Sequence, residues 1–328
     1  MSERYKFVES FQKSLFERFK NGYQSWWPNF IFHYSDVQNI ASILNSGKLY
    51  SREKACGLGL MANDNADSEV IGKTQNEYLS FVRCYFGAKT PTQYRNEGIL
   101  PEHEVKNGAH CPVPVFLLFD FVKLLAVDGV RFSGSNIAAS DADIFESIED
   151  LEKLEFGFIY DRGSLPDDSY RNHILYCRHA EVLIPDELDV YDYLRYICVR
   201  SEAERETLLY RLEPNIKNRI SKIIKVFTKD GIFYNNRLLV NSVTIGENAN
   251  EVIMRFSNAE RFEFDMRVLG ADRRTGRKYD KSKLWKVPHA VHFELQEPIG
   301  REGFYIRIEM NGYMVYENII VPKTEGVF

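Results

Sequence analysis

The sequence predicts an α+β protein whose second part is rich in β structure. Three observations lead there. Helical and strand periods alternate irregularly from the start to about residue 210. After Glu213-Pro214 the pattern changes to short alternating runs separated by Gly and Asn turns. A chain of 328 residues also exceeds the usual span of one compact core, so two domains are expected, 1–213 and 214–328.

Within 1–28, Phe7, Phe11, Leu15 and Phe19 recur every four residues, the stripe of an amphipathic helix that packs on the first domain. Asn29 to Tyr34 reads as a buried strand. A helix start follows at once, with Ser35 and Gln38 as a capping-box pair, Val37, Ile40, Ala41 and Leu44 on one face, and Gly47 as the C-terminal cap. Residues 54–76 hold many Gly, Asn and Asp without a period, a long loop of the kind that covers or binds ligands. Strands are expected at Leu79–Phe86, Val113–Phe119 and Val130–Ser133, and a helix over Ser140–Leu154 behind an N-cap serine. Further strands fall at Ile174–Cys177, Val182–Ile184 and Tyr193–Val199, then a helix capped by Ser201 and Glu204. The β-rich part reads as a small sandwich with strands at 232–240, 252–256, 262–268, 291–295, 304–309 and 313–316. Asn311-Gly312 is a hairpin turn because both residues tolerate positive φ.

With 23 Phe and 19 Tyr the chain has ample apolar area for real cores, which excludes a disordered protein. Five cysteines, odd in number and without a Cys-x-x-Cys pair, point to a reducing cytoplasm, and no apolar run approaches the ~18 residues of a membrane span. A net charge of -5 repels a phosphate backbone on average, so nucleic-acid contact has to come from a local basic patch. One such run stands out: Arg273, Arg274, Arg277, Lys278, Lys281, Lys283 and Lys286, interleaved with Tyr279 and Trp285. Cations that neutralise phosphates beside aromatics that stack bases suit single-stranded nucleic acid; a solvated hairpin loop or a protein-binding surface fits the same run. Gly57-Leu-Gly59 lacks the third glycine of a dinucleotide fingerprint, and neither Cys177 with His179 nor His110 with Cys111 has zinc spacing, so no metal is expected.

Four blocks, in order, carry a resemblance: Phe30-Ile-Phe-His33-Tyr-Ser35-Asp-Val-Gln-Asn39 through Gly47; Tyr78-Leu-Ser-Phe81 followed by Tyr85-Phe-Gly-Ala-Lys89-Thr-Pro91-Thr-Gln-Tyr94; Arg131-Phe-Ser-Gly-Ser; and His179-Ala-Glu181-Val-Leu-Ile-Pro. Over roughly residues 29–210 the chain resembles the DarT family, bacterial toxins that transfer ADP-ribose from NAD to bases of single-stranded DNA. The resemblance implies an ADP-ribosyltransferase-like mixed sheet with flanking helices, NAD as co-substrate without a metal, and a toxin–antitoxin or phage-defence setting with a macrodomain-type antitoxin. Single-stranded DNA is the implied acceptor, with RNA as an alternative.

By the same resemblance Glu181 corresponds to the catalytic glutamate, His33, Ser35 and Asn39 fall on the NAD-binding opening motif, and Tyr85, Lys89 and Tyr94 line the cofactor and substrate cleft. The family's catalytic arginine precedes the Tyr78 block, whereas Gly57 to Gln75 contains no arginine and only Lys73. Arg52 is taken as the catalytic arginine, with Arg83 as the other source of that charge and a branch that does without the arginine as the third reading. The chemistry suits these residues: cleaving the nicotinamide–ribose bond builds positive charge on the sugar, which a carboxylate stabilises before accepting a proton from the attacking base. Read without the resemblance, Glu181 is a paired or surface glutamate, His33 a core histidine, Ser35 a helix cap, Asn39 a solvent-facing helix residue, and Tyr85 and Tyr94 core aromatics. A non-catalytic nucleic-acid-binding protein on the same fold is the competing function, with Arg273, Arg274, Arg277, Lys278 and Trp285 as its contacts.

Overall fold

A computed structural model describes residues 2–60, 72, 76–167, 169–228, 231–258, 263–286 and 289–322. In chain order the first ten strands are β1 (Phe30–Asp36), β2 (Lys48–Tyr50), β3 (Phe81–Tyr85), β4 (Pro114–Asp120), β5 (Arg131–Ser133), β6 (Ile144–Phe145), β7 (Glu181–Pro185), β8 (Glu187–Asp189), β9 (Leu194–Val199) and β10 (Ile224–Val226). Eight of them form one mixed sheet in the order β10-β9-β4-β1-β3-β7-β5-β6, while β2 and β8 pair separately. β4 is buried along almost its whole length because helices and loops cover both of its faces, which is why its sequence is a continuous apolar run.

The N-terminal helix, Glu3–Phe19, is capped by Ser2 and packs its stripe on the first part of the chain, against the short helix Phe156–Ile159 and the residue that ends it: Phe11 meets Phe156 at 5.6 Å and Phe19 meets Tyr160 at 5.1 Å between ring centroids. Helix Val37–Ser46 ends at Gly47 as expected, with φ of 73° and its N–H on the Ile43 carbonyl. Its N-cap is Asp36 rather than Ser35, since the Asp36 carboxylate accepts the Gln38 N–H at 3.0 Å. Ser35 stays in β1.

Two expected elements change type. The apolar spacing over Ser140–Leu154 forms the two-residue strand β6 and a 3-10 turn, Ile148–Lys153, because Phe145 pairs with Phe132 on β5 at the sheet edge. Ile174–Cys177 belongs to helix Tyr170–Cys177; Ile174 and Cys177 lie three apart on one helical face, which a four-residue apolar run cannot distinguish from a strand. The long loop expected over 54–76 begins instead as helix Arg52–Gly57, and most of the remainder, Lys73 included, lies outside the described residues.

Beyond Glu213-Pro214, helix Pro214–Ile220 leads to β10, which pairs in parallel with β9, so the first sheet extends past the composition shift. The sheets change over only after Val226. The remaining strands are β11 (Leu239–Ile245), β12 (Glu251–Ser257), β13 (Glu263–Asp272), β14 (Lys278–Lys286), β15 (Ala290–Glu294), β16 (Phe304–Met310) and β17 (Tyr313–Ile320). They make an antiparallel three-stranded sheet, β11-β12-β15, and a four-stranded one, β14-β13-β16-β17. The expected strand at 232–240 starts only at Leu239. Asn311 and Gly312 turn β16 into β17 with φ of 49° and 80°.

The β-rich part is joined to the first by more than apolar contact. Helix Glu202–Tyr210 lies against β17, where the Thr207 hydroxyl accepts the Glu317 N–H at 3.2 Å, Tyr316 donates to Glu206 at 2.7 Å, and Arg211 pairs with Glu317. The apolar core runs through both parts without a break.

Candidate active site

Strand order does what sequence distance hides: β1, β3 and β7 are neighbours, and they carry His33, Arg83 and Glu181. Glu181 opens β7 opposite Tyr85, and Arg83, two residues before Tyr85, points to the same face of the sheet. The Arg83 guanidinium grips the carboxylate with Nε at 3.0 Å from Oε2 and Nη2 at 2.6 and 2.7 Å from Oε1 and Oε2. Nη2 also donates to the Asn136 side chain at 3.2 Å, so the loop after β5 helps aim it. Glu181 is completely buried, while the Arg83 side chain is 26% exposed and forms the solvent side of the pair. Burial pushes the Glu181 carboxyl above its ordinary range; Arg83 and the Ile137 N–H pull it back.

His33 is tied to the backbone of Arg83 rather than to the carboxylate. Its Nδ1–H donates to the Arg83 carbonyl at 3.1 Å, and burial pushes the imidazole down to about 4. A neutral ring that donates through Nδ1 offers Nε2 as an acceptor, suited to a sugar hydroxyl. Burial, reinforced by Glu181, holds the Tyr85 phenol well above its ordinary range, so it remains a donor.

The other expected residues divide into two groups. Ser35 and Asn39 meet each other, the Asn39 amide donating to the Ser35 hydroxyl at 3.2 Å beside β1. Lys89, at φ 57°, gives its N–H to Gln93 at 2.7 Å and places Nζ 5.9 Å from the Tyr234 ring centroid. Tyr94, 55% exposed, stands edge-on to Tyr234 at 5.1 Å. Tyr234 was not legible as a site residue: it lies in a short segment with no motif, and folding alone brings its hydroxyl to the Lys89 carbonyl at 2.5 Å.

Arg52 sits elsewhere. Its neighbour Ser51 donates its N–H to the Asp186 carbonyl at the far end of β7, five residues from Glu181, or about 16 Å along a strand. The arginine on the carboxylate is Arg83. The basic run spans the turn between β13 and β14 and the outer strand β14 of the four-stranded sheet: in the turn Arg273 is exposed and Arg274 and Arg277 stand 3.4 and 3.6 Å from Glu297, and Lys278 opens the strand, exposed. The side chain of Trp285 lies outside the described residues. Among the described residues, Glu155, His173 and Cys177 bring three potential metal ligands together, but Glu155 and His173 pair directly at 2.9 Å and burial pushes the thiol up to about 12.

A buried carboxylate clamped by an arginine, with a neutral histidine on the next strand but one, has the chemistry to stabilise positive charge that develops on a sugar. A family model described as ssDNA thymidine ADP-ribosyltransferase, DarT, matches residues 32–234. The chain belongs to the DarT family, a family of ADP-ribosyltransferases whose donor is NAD. Similar solved structures include DarT of Thermus sp. 2.9 in complex with ADP-ribosylated ssDNA, 17% identical with a TM-score of 0.49, covering 63% of this chain and 97% of that one. The same Thermus protein with carba-NAD+ and with NAD+ is 17% identical with a TM-score of 0.47, covering 63% and 98%. No curated protein sequence matches the chain. Among the described residues no helix is long and apolar enough to cross a membrane.

Proposed function

We propose that the chain transfers ADP-ribose from NAD to thymidine in single-stranded DNA, with Glu181 as the catalytic carboxylate and Arg83 as the residue that keeps it ionised. The observation that carries this reading is the clamp itself. A fully buried glutamate is of use to an oxocarbenium-like transition state only when it is charged, and Arg83 supplies the compensation that burial demands.

The bond between ribose C1′ and nicotinamide breaks, and nicotinamide leaves with the bonding pair. Glu181 stabilises the positive sugar and accepts the proton of the attacking base. In thymidine the ring N–H is N3, because N1 already carries deoxyribose, so N3 bonds to C1′ as its proton passes to Glu181. His33 Nε2 accepts from a ribose hydroxyl of NAD, and Ser35, Asn39 and Tyr85 line the same pocket. Lys89 and Tyr94 stand at its mouth. Arg52, at the far end of β7, is assigned no part in bond breaking.

The β-rich part, including Arg273, Arg274, Arg277, Lys278 and Trp285, serves as a second contact for the acceptor strand. The setting is a cytoplasmic toxin held in check by a macrodomain-type antitoxin, in phage defence; an RNA acceptor is the variant of this reading that the same assay resolves.

Incubation with NAD and single-stranded DNA or RNA oligonucleotides that differ in one base tests this, read by nicotinamide release and oligonucleotide mass. Thymidine-containing DNA is expected to gain one ADP-ribose, and Glu181→Gln to lose ~10²- to 10⁴-fold in rate while still binding NAD. Undiminished transfer by that variant removes Glu181 from its role; transfer without dependence on thymidine removes the assigned acceptor.

A further inference from the structure

Just beyond the end of β3, two arginines share one carboxylate among the described residues. Arg162 lies with its guanidinium 4.6 Å from the Trp27 ring centroid, donating to the carbonyls of Ala88 and Asp161. Arg178, three residues before Glu181 and 9% exposed, donates to the Gly163 carbonyl at 3.2 Å and stands 3.4 Å from Asp161. The Nε–H of each arginine is buried and has no hydrogen-bond partner among the described residues. Orphaned guanidinium donors are costly, and two of them side by side are unusual in a folded protein. Among the described residues the carboxylate facing the pair is Asp161, and the two arginines repel each other; burial and this repulsion push Arg162 down to about 9.

Lys89 and Tyr234 complete the surroundings. The Tyr234 hydroxyl bonds to the Lys89 carbonyl, one residue from the carbonyl that Arg162 holds, and Tyr94 offers an exposed ring against Tyr234. The cluster connects with the site: the Phe86 N–H bonds to the Ala180 carbonyl, and Arg95 and Arg83 both act electrostatically on His179, two residues before Glu181. Positive charge therefore extends from the carboxylate clamp outward along the end of β3.

We infer that Arg162, Arg178 and Lys89 form a phosphate-ester subsite beside the transfer site. A phosphate provides acceptor oxygens for both orphaned Nε–H groups and the negative charge that Asp161 alone does not supply. Two sources carry this chemistry, the backbone of the acceptor strand and the pyrophosphate of NAD. An exposed aromatic ring next to a phosphate site is the pairing used for single strands, because a neighbouring base can stack on it. The inference takes the location of the active site from the function proposed above, but direct binding tests it separately from turnover.

The measurement uses full-length protein in the Glu181→Gln background, so that neither ligand is consumed. Binding of a fluorescent thymidine-containing oligonucleotide and of NAD is compared for the background protein, Arg178→Gln and Lys89→Gln, with Arg178→Lys as the charge-conserving control. If the strand occupies the subsite, its Kd rises ~10-fold in the Gln variants and the slope of log K against log salt falls by ~0.7 for each lost phosphate contact, while NAD binding by Arg178→Gln is unchanged. If NAD occupies it, the pattern reverses. Inorganic pyrophosphate is expected to raise the melting temperature of the background protein, and less so that of Arg178→Gln. Folded variants that bind both ligands as the background protein does, with no stabilisation by pyrophosphate, overturn the inference whatever the outcome of the transfer assay.

Discussion

Replacing Arg83 by Ala removes the partner of a completely buried carboxylate, and the structure sets the size of the effect. Charge centres about 4 Å apart interact by ~4 kcal/mol at an effective dielectric constant of ~20, and breaking one side of a buried pair costs ~3–5 kcal/mol. The Ile137 N–H remains and recovers part of this. The buried Glu181 answers the loss by holding its proton more tightly. Its folded-state pKa, already above the ordinary 4.5, rises further. The folded state then binds the extra proton, so stability is fully present below about pH 4.5 and is lost as pH rises through the new folded value. Urea unfolding across pH 4.5 to 9 is expected to show the variant losing stability steadily toward alkaline pH relative to wild type. Transfer at neutral pH is expected to fall at least ~10²-fold and to recover in part as pH rises and Glu181 ionises. The double variant Arg83→Ala with Glu181→Gln removes the stranded charge and should regain most of the stability. An Arg83→Ala protein with wild-type stability and rate, or a double variant no more stable than the single one at pH 8, refutes the reasoning.

Three further outcomes follow from the same structure. His33, His110 and His179 are each pushed down to about 4 by burial, so between 6.5 and about 4 the unfolded chain binds more protons and stability falls with acid, by up to ~1.4 kcal/mol per pH unit for each. Asp36, pushed up to about 6, opposes this between 3.8 and 6, so urea titrations should show a steeper acid loss in Asp36→Asn; an unchanged slope contradicts the assignment. Glu97 accepts N–H bonds from Tyr234 at 3.1 Å and Asn235 at 2.9 Å and an amide from Gln93 at 2.6 Å, so Glu97→Ala is expected to cost ~3–5 kcal/mol and to open residues 232–235 to hydrogen exchange; protection equal to wild type counts against it. Arg273→Ala with Arg274→Ala should weaken single-strand binding and flatten its salt dependence without changing NAD affinity, and an unaltered salt slope assigns the basic hairpin to something other than phosphate.

Local chemistry was written clearly where the chain repeats a period or fills a cap. The N-terminal stripe, the glycine closing helix Val37–Ser46, the Ser201 cap and the Asn311-Gly312 hairpin all depend on residues within a few positions of one another. Those signals act over one or two turns, so the sequence carries them whole. Short apolar runs were ambiguous: Ile174–Cys177 became a helix and Ile144-Phe145 an edge strand, because packing partners far along the chain decided between two acceptable periods. The matched blocks named His33 and Glu181 by type and order, and the fold places them on β1 and β7, on either side of β3.

What no local pattern held was who stands next to whom. Arg83 and Glu181 are 98 residues apart, and Arg52 was as plausible a partner until the order β1-β3-β7 placed Arg83 on the carboxylate and Arg52 at the far end of the strand. Tyr234, Arg162 and Arg178 are unremarkable in the sequence and acquire meaning only where folding crowds them beside the end of β3. The continuation of the first sheet through β10 is of the same kind. Propensity and capping are properties of neighbouring residues, but burial, ion pairing and sheet order arise from contacts between distant ones, and those contacts exist only once the chain has closed on itself.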